Sequence, residues 1–461
     1  MSFEFIETEL GNFVEIVTKK CDASIIDVTN YISTENMLPD RQGVTISSGI
    51  PDVNKFNSFE IGDTLFSNIR TYFKKVWFAT FYGGVSPDVL VFRTTHEKLT
   101  SEYLHLILSS DDFINYSHLT SKGAKMPRGD KGAMLSYKIK IPSLKYQKRC
   151  TKLIFTLSKK IDSNNRINQT LEQMAQALFK SWFVDFDPVK AKMAVLDAGG
   201  SQADATLAAM TAISGKDADA LAVFEREHPE QYAELKATAE LFPAAMQDSE
   251  LGAIPKGWGV ASISEMGKVT CGKTPSKKEP EYYGSDVPFI KIPDMHGQLF
   301  VLKTNEYLSE AGSKSQLKKL VPANSICVSC IATIGVVSIT NEPSHTNQQI
   351  NSVTPHKSSL LYYLYFCMLR LKDHLHILGS AGSATLNVNT STFSGIKIAQ
   401  PDAKVLELFH AKCTHLFNEI KSLSVQTESL TQLRDTLLPK LLSGEITLQE
   451  AEQAVSEVEN V

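Results

Sequence analysis

The sequence predicts an α+β protein that is written twice: a globular α/β region followed by a long helix, then the same pair again. Three observations lead there. From Leu157 onward, Leu157, Ile161, Asn164, Asn168, Leu171, Ala175, Leu178 and Trp182 alternate steps of four and three, an a/d seam sustained for nearly four heptads. Adding 259 to each number gives Leu416, Ile420, Leu423, Thr427, Leu430, Arg434, Leu437 and Leu441, a similar seam in the same register. Upstream of each lies a short β-like stretch, Lys138-Ile-Lys-Ile-Pro142 before the first and Ile396-Lys-Ile-Ala399 before the second.

The elements follow in order. With domains of roughly 100–200 residues, a chain of 461 holds two to four. Residues 1–149 form the first α/β domain, 150–186 the first long helix, and 187–255 an acidic, alanine-rich helical linker. Residues 256–403 form the second α/β domain, 404–443 the second long helix, and 444–461 an acidic tail. Each long helix of about 30–35 residues spans roughly 45–52 Å at 1.5 Å per residue. A narrow apolar stripe needs a partner, so the two helices either pack on each other or each on its own domain. Asn164, Asn168 and Thr427 within the seam would lower stability but fix register. Pro439 is expected to kink or end the second helix near Leu438, and Gly444 to stop it.

Charge is unevenly distributed. Residues 190–255 carry five basic side chains against eleven acids, a balance of −6, and five glutamates follow Gly444 with no Lys or Arg. Between Leu119 and Cys150 lie nine basic residues, with Asp130 the one acid. The net −4 of the chain therefore does not exclude a polyanionic partner. The start, MSFEFIETELGNF, lacks the basic and apolar regions of a signal peptide, and no run of about 18 apolar residues appears. Seven scattered cysteines predict reduced thiols and a cytoplasmic setting. Cys327-Val-Ser-Cys330 has half the spacing of a zinc site, but its apolar flanks read as a buried strand. No Gly-x-x-x-x-Gly-Lys-Ser/Thr loop for ATP is present.

Several motifs in a fixed order add a family resemblance. They begin with Gly62-Asp-Thr-Leu-Phe-Ser-Asn-Ile-Arg70, Lys74-Lys-Val-Trp-Phe78, Gly83-Gly84 and Ser86-Pro-Asp-Val-Leu-Val-Phe92. Leu178-Phe-Lys-Ser-Trp-Phe-Val-Asp-Phe186, Glu250-Leu-Gly-Ala-Ile-Pro-Lys-Gly-Trp258 and Gly272-Lys-Thr-Pro-Ser276 come next. Pro280-Glu-Tyr-Tyr-Gly284, Pro288-Phe-Ile-Lys291 and Leu433-Arg-Asp-Thr-Leu-Leu-Pro-Lys-Leu-Leu-Ser-Gly-Glu-Ile446 complete the series. Over nearly the whole chain the sequence resembles the specificity subunit of a Type I restriction–modification enzyme. The resemblance implies two target-recognition domains separated by helices that pair as an antiparallel coiled coil, in a pseudo-two-fold repeat.

It also implies a non-catalytic subunit that reads one half of a split site on double-stranded DNA with each domain. Two methyltransferase subunits and restriction subunits would dock on it. S-adenosylmethionine, ATP and Mg would belong to those partners, with no cofactor on this chain and no membrane. The Asn/Asp-Pro-Pro-Tyr/Phe mark of adenine methyltransferases is absent from the sequence. Thr71 stands where the family commonly has proline, and the segment between Lys190 and Glu250 is longer and richer in alanine than usual. The other reading of the residues is a scaffolding adaptor whose two α/β domains bind proteins.

For DNA reading, Ser121-Lys-Gly-Ala-Lys-Met-Pro-Arg-Gly-Asp-Lys-Gly132 offers Lys122, Lys125, Arg128 and Lys131. Arg128 is the candidate for a bidentate contact with guanine, because its planar fork matches O6 and N7. Phosphate contact is the alternative for each lysine. The equivalent place in the second domain, Gly379–Thr390, carries Ser383, Thr385, Asn387 and Asn389 for base edges, or else forms a plain turn with Asn capping. Arg70 and Lys74, and Lys273, Ser276 and Lys277, are candidates for gripping phosphate. Phe183 and Phe186 are expected to face a methyltransferase subunit, with Trp182 in the seam.

Overall fold

The computed structural model describes residues 5–123, 127–380 and 386–459, the side chains of 458 and 459 excepted. Two compact units emerge: Met1–Arg166 with Ser424–Val461, and Ile167–Leu423.

In the first unit, one four-stranded sheet orders Val14–Ile16, Val89–Thr94, Thr64–Ser67 and Val76–Phe78. A second orders Lys20–Asp22, Lys55–Phe59, Gly83–Val85 and Tyr31–Ile32, the last pair parallel. Helices Ser101–Ser109 and Asp111–Leu119 cover the first sheet, each started by a hydroxyl cap, Thr100 and Ser110. Phe66, Leu90, Phe92, Leu104 and Phe113 are buried between them. The ribbon of Ile6–Glu9 against Lys138–Ile141 then leads into the first long helix.

The second unit repeats the plan. Gly267–Cys271, Ile350–Pro355, Ile326–Ser329 and Val337–Thr340 stand in the order of their counterparts, with Phe300–Val301 added at one edge. Leu361–Arg370 and Lys372–Ser380 replace the two helices, and Gly259–Ser262 pairs Lys397–Gln400 as the entry ribbon. Ribbon strands Lys138–Ile141 and Lys397–Gln400 are offset by the same 259 residues as the seams.

The long helices are Leu144–Phe183 and Ala403–Ser443, of 40 and 41 residues, so the first starts six residues before the expected 150. The local reason is the cap after a proline. Ser143 follows Pro142 and accepts from the Tyr146 N–H at 3.4 Å; Asp402 follows Pro401 and accepts from the Lys404 N–H at 2.8 Å. The helices run antiparallel. In the first unit the Tyr146 hydroxyl donates to the Leu441 carbonyl at 3.0 Å and the Asn164 amide donates to Gln426 Oε1 at 2.8 Å. In the second, Phe179 and Trp182 pack on Phe409.

Every seam position is buried or half-buried: Leu157, Ile161, Asn164, Ala175, Trp182, Ile420, Leu430, Leu437 and Leu441 fully, Asn168, Leu171, Leu178, Leu416, Leu423, Thr427 and Arg434 partly.

The structure adds detail to three expectations, and of these it sets aside only an end of the helix at Pro439. The helix continues past Pro439 to Ser443, because Leu437, Leu438 and Leu441 are held in the first unit's core while Pro439 faces out. That packing outweighs a cost of about 3 kcal/mol for an interior proline. The helix stops at Gly444 (φ +79°), where the Glu445 N–H donates to the Lys440 carbonyl.

The tail is a helix, Leu448–Glu459, with Leu448, Ala451 and Val455 buried and Arg149 paired to Glu452 at 2.8 Å. Its start signal, Thr447 with Glu450 three residues on, was present in the sequence. Finally, the expected linker is a folded part of the second unit. Helices Asp187–Asp197, Gln202–Ser214, Ala218–Glu227 and Pro229–Glu240 enclose Ala209, Met210, Leu221 and Ala239. Lys192, almost fully buried, donates from Nζ to the Phe242 carbonyl at 2.6 Å and so closes the end of the last helix.

Candidate nucleic-acid interface

The basic loop of the first unit is anchored by short backbone rungs. Strand Thr64–Ser67 runs on to Asn68 and Arg70, whose carbonyl and N–H meet the Gly129 N–H at 3.1 Å and the Pro127 carbonyl at 3.3 Å. Lys122 and Arg128 exchange N–H···O bonds of 2.8 and 2.9 Å, closing the loop at its base. Gly129 leaves room there for its neighbours: a Cβ would lie 2.2 Å from Met134 Cε and 2.9 Å from Asn68 Oδ1, so both side chains would have to shift. Lys125 lies outside the described residues.

These rungs bring Arg70, Lys122 and Arg128 together. The Arg128 guanidinium is 60% exposed and pairs with Asp88 at 2.8 Å. Lys122 pairs with Asp130, whose carboxyl is held below its usual range by that ammonium while it also caps the helix Lys131–Leu135. Lys131 is exposed in the first turn of that helix. Lys74 pairs with Asp111 at 2.8 Å, and Arg41 shares the same carboxylate.

Exposed ion pairs contribute about 0–1 kcal/mol, so a phosphate or base edge can take either cation from its carboxylate at small cost. Asp88 and Asp111, which orient these cations, were not picked out from the sequence. The nearest signal was Asp88 in the turn of Ser86-Pro-Asp. Replacing Arg128 with alanine is expected to relax recognition at one base pair of a DNA target, by about 1–3 kcal/mol. Binding measured on duplexes varied one pair at a time checks it, and equal loss on every duplex would mark a phosphate contact.

The second unit repeats the rungs with other side chains. The Ala332 N–H donates to the Leu386 carbonyl at 3.0 Å and the Val388 N–H to the Cys330 carbonyl at 2.9 Å, with Ile331 bridged to Asn387 as Ile69 is to Arg128. Asn387 is exposed. Asn389 is exposed, and its side-chain oxygen accepts from the Thr392 N–H at 2.9 Å and caps Thr390–Gly395. Ser383 and Thr385 lie outside the described residues. Lys273, Ser276 and Lys277 are exposed on a separate segment tied to Thr346 through the Lys273 N–H at 2.9 Å. Among the described residues, no hydrogen bond or ion pair joins that segment to Asn387 or Asn389.

The aromatic cluster is also corrected. Phe183 is 6% exposed, its ring 5.0 Å from Tyr363 and from Phe409 and 5.8 Å from Trp258. Phe186 is half-buried against Trp258 at 5.8 Å. The cluster that looked like a docking face is the second unit's own core. Cys327 and Cys330 are buried in and beside Ile326–Ser329, and burial pushes both thiols up to about 11, so both are neutral thiols. No described helix is long and apolar enough to cross a membrane.

A duplicated α/β unit with a polar loop pinned at the same place in each copy, and antiparallel seams of two long helices, defines a repeat protein built for recognition. Residues 4–173 and 255–421 match the Type I restriction modification DNA specificity domain. The chain is 40% identical over 454 residues to the Type I restriction enzyme HindI specificity subunit of Haemophilus influenzae, covering 95% of this chain and 99% of that one. It is 22% identical over 355 residues to the MjaIX specificity subunit of Methanocaldococcus jannaschii, covering 76% and 70%. The crystal structure of the Type-I restriction–modification system S subunit from M. genitalium aligns over 95% of this chain and 96% of its own, with a TM-score of 0.53 at 12% identity, a likeness of fold. The chain belongs to the specificity subunits of Type I restriction–modification systems, the non-catalytic DNA-recognition components.

Proposed function

We propose that this subunit reads a bipartite duplex target, one half-site through the pinned loop of each unit. Methyltransferase and restriction subunits would dock on it and bring S-adenosylmethionine, ATP and Mg. The observation that carries the reading is the repeated set of rungs, which sets Arg128 and Asn387 at matching places on matching scaffolds. One scaffold with two sets of tip side chains suits a reader of two unlike half-sites. Lysines and arginines supply affinity through phosphate, and side chains at base edges supply sequence choice. The long helices would set the length of the unread spacer.

Mapping methyladenine across the genome of the host, with and without this subunit, tests the proposal; a split motif dependent on the chain is the expected result. With six to ten phosphate contacts, binding of the assembled complex should fall about 1,000- to 100,000-fold between 50 and 200 mM salt. A flat salt response would favour the adaptor reading instead.

A further inference from the structure

Beside each pinned loop, the chain makes a second, unusual turn. In the first unit Arg70 (φ +49°) and Lys74 (φ +54°) are both left-handed without being glycine, and they bracket the short helix Thr71–Phe73. Two such residues within five are rare, and each costs free energy that the surroundings must supply. The turn is clamped from behind: the Asp40 and Arg41 N–H groups donate to the Phe73 and Lys74 carbonyls, both at 3.0 Å. Arg41 in turn donates to the Ser109 carbonyl at 2.6 Å.

What the clamp presents is two aromatic rings. Tyr72 is 47% exposed and Phe73 41%, with ring centroids 4.7 Å apart. Exposed Arg70 and paired Lys74 flank them, and the Ile69–Arg128 bridge sets them next to the basic loop.

The second unit holds a related turn, one residue shorter and without the short helix. Ala332 (φ +63°) and Gly335 (φ +83°) take the left-handed places, and Ala332 makes the rung that Arg70 makes. A Cβ at Gly335 would meet Lys372 Cγ at 2.6 Å, so glycine is required there. The tip carries exposed Ala332 and Thr333, while Ile334 is turned into the core. A left-handed pair is kept in both copies, and what it brackets changes from Thr71-Tyr72-Phe73 between cations to Thr333-Ile334 between Ala332 and Gly335.

We propose that this strained turn is a second base-reading element in each half, Tyr72 and Phe73 contacting bases of the first half-site and Thr333 of the second. Resting on the DNA-recognition reading above, it adds residues that reading does not use. The flanking cations fix the occupant as duplex DNA, because phosphate on Arg70 and Lys74 brings base edges to the rings. Apolar rings and a threonine methyl both suit the methyl group of thymine, which only the major groove displays. Two large rings left half in water are then buried when DNA binds.

The test is methyladenine mapping with three subunits in the assembled system: wild type, Tyr72→Ala with Phe73→Ala, and Thr333→Ala. The first variant should relax one or two base pairs of one half-site, by about five- to a hundredfold each, and leave the other half unchanged. Thr333→Ala, a small change at an exposed site, should relax one base pair of the opposite half. Motifs unchanged in both variants overturn the proposal, as does relaxation of both halves by one variant. If the double variant loses methylation everywhere, Thr333→Ala decides alone. A wild-type system without a split motif would sink the DNA reading itself, a result distinct from unchanged variants on a wild-type motif.

Discussion

Removing one heptad from each long helix, residues 161–167 and 423–429, is expected to shorten the unread spacer of the methylated sequence by up to about three base pairs. Each deletion takes out about 10.5 Å of helix at 1.5 Å per residue, against 3.4 Å per base pair. The two cuts are matched, being centred on Asn164 and Gln426, which pair at 2.8 Å across the antiparallel helices. Seven residues restore the a/d pattern with a drift of only about 20° per heptad, so the seam re-forms. Three base pairs of DNA turn much further than that, so the assembled system carrying the shortened subunit should also methylate less efficiently. Both half-sites should be read as before, since neither loop is touched. Methyladenine mapping gives the answer; an unchanged spacer would remove the helices from any role in setting it.

How much of this was legible depended on whether a signal was local or required a partner. The seam needed only spacing, because a helix returns every 3.6 residues to the same face, and Leu157 to Trp182 keep that period. The repeat needed only the offset between Ile161 and Ile420. Pro439 does not end the helix, one of the two outcomes its local rule allows, because Leu438 and Leu441 hold the helix from the core. Phe183 was misread because nothing near it in sequence shows that Tyr363 and Phe409 will surround it. The capping role of Asn389 follows from its place one residue before Thr390–Gly395, which the sequence offered as one of two readings. The carboxylates beside Arg128 and Lys74 come from 40 and 37 residues away, too far for any spacing rule. The strained turns left no trace at all in a propensity reading, since Arg70, Lys74 and Ala332 are ordinary residues in an unusual backbone.

Replacing Trp182 with alanine is expected to destabilise the second unit by about 3–5 kcal/mol, the range for a large buried aromatic. Trp182 is 0% exposed and stands among Phe242, Phe409 and Phe183, with ring centroids 5.1, 6.1 and 6.2 Å away. These rings come from the long helices and from the segment after Pro229–Glu240, so one truncation loosens three elements. Trp182 Nε1 is buried with no hydrogen-bond partner among the described residues. Trp182→Phe removes that unpaired donor while keeping most of the ring, so its cavity loss is offset by up to about 1–3 kcal/mol. The two variants should therefore separate widely. Phe183→Ala should behave like Trp182→Ala, because its ring serves the same core. Two units make a single unfolding midpoint a poor measure, so native-state hydrogen exchange is the measurement. Amides of Leu361–Arg370 and Ala403–Ser443 as far as Leu423 should lose protection in Trp182→Ala and Phe183→Ala, and little in Trp182→Phe. If Phe183→Ala kept full protection and lost only binding to the proposed methyltransferase partner, the aromatic cluster would be a docking face after all.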